Sequence, residues 1–97
     1  MLSQFDNEPV YGRLHAVVEH EPGVLLRLLE LFAARGLAPL SVEYKIDARA
    51  RPPIGRLRVD AEVGAQDWQI LCARAGQAVG VIELVQDSCA FADARAA

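Results

Sequence analysis

A chain of 97 residues has room for one domain and one modest core, burying about 60 to 70% of the surface its unfolded form exposes. A composition of 53% hydrophobic and 24% charged residues excludes a disordered chain, and a net charge of −3 with a pI near 5.3 argues against a nucleic-acid groove or an anionic membrane as the main partner. The two cysteines, Cys72 and Cys89, are too few and too widely spaced for a disulfide framework or a Cys-x-x-Cys metal or redox site, so a reducing compartment is the default.

Residues 1–10 are polar, aperiodic and contain Pro9, which predicts a flexible arm. They lack the basic start and apolar run of a secretory signal. No later stretch is long enough to span a bilayer, so a cytoplasmic protein is expected. From about Gly12, Leu14, Ala16 and Val18 alternate with Arg13, His15 and Glu19, the period of a half-buried strand. The period then changes. Val24, Leu25, Leu28, Leu29, Leu31 and Phe32 form the apolar stripe of a helix ended by Gly36. At the joint, His20-Glu21-Pro22-Gly23, Pro22 is expected at the first helical position and Gly23 lets a ligand approach the backbone without meeting a Cβ. A helix start leaves N–H groups unpartnered and positively polarised, so this turn is a candidate carboxylate site.

Pro39 opens a second strand in which Leu40, Val42, Tyr44 and Ile46 alternate with polar residues. Residues 47–55 hold two prolines and a glycine and predict a long hairpin connection. The third strand puts Leu57, Val59, Ala61 and Val63 on one face and Arg56, Arg58, Asp60 and Glu62 on the other. Helical spacing returns over 64–76, with Trp68, Leu71, Cys72 and Ala75 on one stripe. A last strand is expected from Ala78 to about Gln86, with Val79, Val81 and Val85 opposing Ile82 and Leu84. Leu26 and Ile70 stand outside the stripes, Ile70 as a surface hydrophobe and Leu26 beside the turn, where it is free to meet a partner.

The order strand, helix, strand, strand, helix, strand predicts an α+β, ferredoxin-like βαββαβ two-layer sandwich: a four-stranded antiparallel sheet with both helices on one face. Right-handed crossovers place the first and third strands centrally. The domain is expected over 11–86, with a polar tail over 87–97. The second strand is a long apolar edge of the kind that a second copy covers in a homodimer, together with the first helix.

The run VVEHEPGVLLRLLELFAARGLAPLSVEY resembles the opening of an ACT domain, most closely that of the short small regulatory subunit of acetolactate (acetohydroxyacid) synthase. The matching residues are Glu19, Pro22, Gly23, Val24, Leu25, Arg27, Phe32, Arg35 and Gly36, and the element order agrees over most of the chain. The family usually has Asn or Asp where this chain has His20. The resemblance implies an amino-acid sensor of branched-chain amino acid biosynthesis, without an active site or cofactor of its own. It would bind a valine-like effector between two protomers and act on the catalytic subunit of the synthase. Gly23, Val24 and Leu25 would supply backbone contacts, His20 and Glu21 shape the mouth, and Leu40 line the apolar side.

Other readings of the same residues are weaker. His15 and His20 with Glu19 and Glu21 do not share one face and lack further ligands, so no metal site is expected. Cys72 falls on an apolar stripe, where a buried thiol is inert, and His20 has no nucleophile to serve, although acylphosphatases share this topology. An RNA-recognition module would need aromatics on the open sheet face, which from Arg13 onward carries none. An ACT-like subunit that activates or stabilises its synthase without a ligand is the remaining alternative.

Overall fold

The computed structural model describes residues 8–90, with Ala90 as backbone only. Six elements follow in order: β1 (Pro9–Glu19), α1 (Val24–Ala34), β2 (Ser41–Asp47), β3 (Ile54–Gly64), α2 (Ala65–Gln77) and β4 (Val81–Ala90). The sheet is antiparallel throughout in the order β2-β3-β1-β4, with both helices on one face, so the ferredoxin-like α+β sandwich and the central placing of the first and third strands hold.

The core is built from the alternating residues expected of it. Leu14, Ala16 and Val18 of β1 and Leu57, Val59, Ala61 and Val63 of β3 are buried beneath Val24, Leu28 and Phe32 of α1 and Trp68, Leu71, Cys72 and Ala75 of α2. At the C-terminus of α1, Gly36 takes a left-handed φ of 70° while its N–H donates to Ala33 O and that of Leu37 to Phe32 O, the paired bonds that end a helix. Arg35 Nη2 then reaches Asp67 Oδ1 at 2.7 Å and ties this end of α1 to the first turn of α2, each charge complementing its helix end.

Boundaries differ from expectation at four places, each for a local reason. β1 starts at Pro9, not Gly12. Strand positions tolerate proline at their first residue, and Gly12 is a seat for Trp68: a Cβ there would lie 2.6 Å from the indole Cε2. β4 continues through Asp87, Ser88 and Cys89, whose polar side chains face solvent on an edge strand opposite Arg13, Gly12 and Tyr11. Arm residues 1–7 and tail residues 91–97 lie outside the described residues. β4 also begins later, at Val81, because Gly80 turns the chain with φ 94°. Its faces looked mixed in the sequence because the register with β1 shifts between Val17 and Val18. That irregularity puts both Val81 and Leu84 against the core and leaves Ile82 and Val85 exposed, which corrects the alternation expected for this strand.

Finally, α1 starts at Val24 and Pro22 lies in the preceding turn. With proline second, Gly23 third at φ 94°, and Val24 N–H donating to Glu21 O at 3.3 Å, Glu21 to Val24 has the pattern of a type II turn.

Candidate functional site

The strand-to-helix turn lies over a hollow of about 330 Å³ lined by His20, Glu21, Pro22, Gly23, Leu25, Leu26 and Tyr44. No side chain caps α1. The first intrahelical bond to the turn is Arg27 N–H to Gly23 O at 2.8 Å, and among the described residues the N–H groups of Gly23, Leu25 and Leu26 have no hydrogen-bond partner. A Cβ on Gly23 would sit 3.6 Å from Arg27 Nη2, so a guanidinium stands beside the bare helix end. Backbone donors and a cation at an apolar-walled hollow are chemically suited to a carboxylate with an apolar body.

The mouth is fixed by neighbours distant in sequence. His20 N–H donates to Pro53 O of the β2–β3 hairpin at 3.2 Å, and Glu19 N–H to Gly80 O at 2.8 Å. His20 Nδ1 and the Tyr44 hydroxyl share a hydrogen bond at 3.0 Å. Tyr44 reaches that position by lying over Gly55, where any Cβ would collide with its ring and hydroxyl.

Of the residues expected at the site, His20, Glu21, Gly23 and Leu25 line the hollow. Val24 is placed differently: its side chain is in the core, so close under Gly80 that a Cβ there would lie 2.7 Å from Cγ2, and its N–H closes the turn. Leu40 does not line the hollow; it precedes β2 with its N–H on Asp60 O at 2.7 Å, at the far end of the strand. Tyr44 and Leu26 form the apolar wall instead. Leu26, off the core stripe in the sequence, was visible as a candidate; Tyr44 was hidden among the apolar residues of its strand, and Arg27 within the helix.

Beside the hollow the helix-side face of β2 is uncovered. Leu26, Leu40, Val42 and Ile46 are each between 45% and 60% exposed, an apolar margin along a strand whose outer edge has no neighbour among the described residues.

The same fold occurs in solved structures. The chain superposes on part of a homoserine dehydrogenase from Thiobacillus denitrificans with a TM-score of 0.69 at 10% identity, covering 91% of this chain and 19% of that one. It superposes on the C-terminal domain of the MgtC protein from Mycobacterium tuberculosis with a TM-score of 0.51 at 11% identity, covering 94% of this chain and 97% of that domain. No family model and no curated protein matches the sequence. At these identities the likeness is one of fold, a small domain compatible with an ACT architecture.

The other chemistries find little geometry. His15 lies on the open sheet face, whereas His20 lies in the turn against Tyr44; among the described residues no group of three or more His, Cys, Asp or Glu is placed to hold a metal ion. Burial pushes the Cys72 thiol up to about 11, which keeps it protonated and unreactive at neutral pH. Because β1 begins early, Tyr11 joins the open face beside Arg13 and Cys89, so that face carries one aromatic where none was expected. One ring at the end of a strand does not make the stacking platform that RNA recognition uses. No helix among the described residues is long and apolar enough to cross a membrane.

Proposed function

We propose that this chain is an amino-acid-sensing regulatory module of ACT type, the small regulatory subunit of an acetolactate synthase. In this reading it is cytoplasmic and binds a valine-like effector at the β1–α1 turn between two copies. The observation that carries it is the uncapped start of α1, with Arg27 beside it, opening onto an apolar-walled hollow next to the uncovered face of β2. The effector carboxylate takes the N–H groups of Gly23, Leu25 and Leu26, an interaction of about 0.3 to 2 kcal/mol from the helix end. An isopropyl side chain against Leu25, Leu26 and Tyr44 adds about 1.5 to 3 kcal/mol when fully buried. The cost of association offsets part of this and leaves a micromolar to millimolar Kd, suited to feedback. A second copy paired along β2 covers Leu40, Val42 and Ile46 and closes the hollow, and the synthase's catalytic subunit is the partner acted upon.

A second reading, an activating or stabilising subunit without a ligand, draws support from the His20–Tyr44 hydrogen bond, which spans the mouth with larger groups than the usual Asn or Asp provides. Calorimetry on the full chain with valine, leucine and isoleucine separates the two. Saturable heat with at least one of them, accompanied by a more stable dimer, is expected of the sensor. Absence of heat from all three, with a catalytic subunit still activated by the chain, leaves the scaffold.

A further inference from the structure

The open face of the sheet carries a second hollow, of about 390 Å³, at the same end of the molecule but on the side away from the helices. Its rim breaks the rule for charges on neighbouring strands. Arg56 stands directly opposite Lys45, and Arg58 opposite His15. Like charges placed across from each other destabilise a sheet. Compensation within the chain is thin. Glu43 Oε1 lies 3.5 Å from Lys45 Nζ and Glu43 Oε2 lies 3.9 Å from Arg58 Nη2, both longer than a good ionic hydrogen bond. Arg58 Nε is buried without a hydrogen-bond partner, and Arg56 and Glu83 make no ion pair or hydrogen bond among the described residues.

We propose that this hollow is a binding site for a small organic monoanion, a carboxylate with a short branched apolar body. Lys45, Arg56 and Arg58 against Glu43 and Glu83 leave one net positive charge, which a monoanion neutralises, whereas a dianion meets the two carboxylates. Arg56 and Arg58 are two apart on β3 and so share the open face, where two guanidiniums present planar donor forks to one carboxylate, including the unpartnered Nε of Arg58. Val17, opposite Arg56, and Val85, opposite His15, give the apolar body its contact. The site is distinct from the hollow at the β1–α1 turn and stands or falls separately from it.

The test is a side-chain NMR titration of the full chain at low ionic strength with isovalerate, with 3-methylbutanol as the uncharged body and inorganic phosphate as the bare anion. Isovalerate is expected to move the Arg56 and Arg58 Nε–H signals and the Val17 and Val85 methyls saturably, the alcohol and phosphate far less. Arg56→Gln is expected to weaken isovalerate about tenfold, the effect of one lost charged hydrogen bond, while raising the melting temperature of the ligand-free chain because a like-charge pair is gone. No saturable shift, an equal response to phosphate, or shifts centred on His20 to Leu26 would each overturn the proposal. So would a variant that melts lower and binds as before.

Discussion

The two ends of the sheet are built on one device and finished differently. At each end a glycine on a central strand takes an aromatic ring from a neighbouring element: Gly12 of β1 seats Trp68, and Gly55 of β3 seats Tyr44. Trp68 is 1% exposed, and its Nε1–H is spent on Gln86 Oε1 at 2.9 Å. Tyr44 is half-buried, and its hydroxyl is turned to His20 at the mouth of a hollow. The open face repeats the contrast. Above Gly12, Arg13 faces Asp60 and Asp87 and pairs with Asp60 at 2.7 Å, with Ser41 Oγ donating to the same carboxylate at 3.0 Å. Towards Gly55, cation faces cation. One end is satisfied within the chain, and the other holds groups whose partners must come from outside it. Function is read at the second end because folding alone gives no reason for its arrangement.

The largest expected effect lies at the satisfied end. Gly12→Ala places a methyl 2.6 to 2.8 Å from three indole atoms of a ring that is buried on all sides and fixed through Gln86. Neither partner has room to move, so the loss is at the upper end of overpacking costs, ~3 kcal/mol. For a domain of this size that lowers the melting temperature by roughly 12 to 24 °C. A variant that melts within a few degrees of the parent would mean that Trp68 is not seated on β1.

At the other end the same substitution is milder and more informative. Gly55→Ala also collides with its ring, but Tyr44 is on an edge strand and can swing into solvent, so about 1 to 2 kcal/mol is expected. Tyr44→Phe keeps the ring and removes only the hydroxyl, at about 0.5 to 1 kcal/mol. Both release His20. The His20 ring resonances are therefore expected to shift alike in the two variants, while only Gly55→Ala melts appreciably lower. Unchanged His20 signals in Tyr44→Phe would dissolve the link from Gly55 through Tyr44 to the turn.

The sequence is legible where one residue's neighbours along the chain decide its environment. Alternation in β1 and β3 and the stripe of α2 name almost the whole core, and Gly36 marks the end of α1. It is misleading where a residue answers to a distant strand. Gly12 and Gly55 stand near predicted boundaries and read as turn residues, yet each is glycine because of a ring far along the chain. A glycine inside an alternating segment was the available clue, and the ring it receives could be named only once register was known. For the same reason Tyr44 was placed with the core residues of its strand and not with the site, and β4, shifted by one residue against β1, hid which of its valines face inward. His20, Glu21, Gly23 and Leu25 were found because the turn is local.

The smallest effect sharpens the comparison through its sign. The Arg13 guanidinium donates to Asp60 and, with the Ser41 hydroxyl, holds its carboxyl below the usual carboxylate range against the opposing pull of burial. A carboxyl whose folded pKa is depressed contributes stability that is complete above its unfolded pKa of about 4 and is lost as pH falls through the lower folded value. Asp60→Asn is thus expected to lower the melting temperature slightly at neutral pH and to flatten the acid limb of the stability curve. The effect shrinks in salt because half of the Arg13 side chain is exposed. Melting curves of the two proteins from neutral to acid pH, converging at the acid end, are the expected result; parallel curves would mean that the pair contributes nothing. Removing a charge at this end costs stability, whereas Arg56→Gln at the other end is expected to gain it. Opposite signs from neutralising two charges on one sheet face are what a sheet self-sufficient at one end and awaiting a ligand at the other must give.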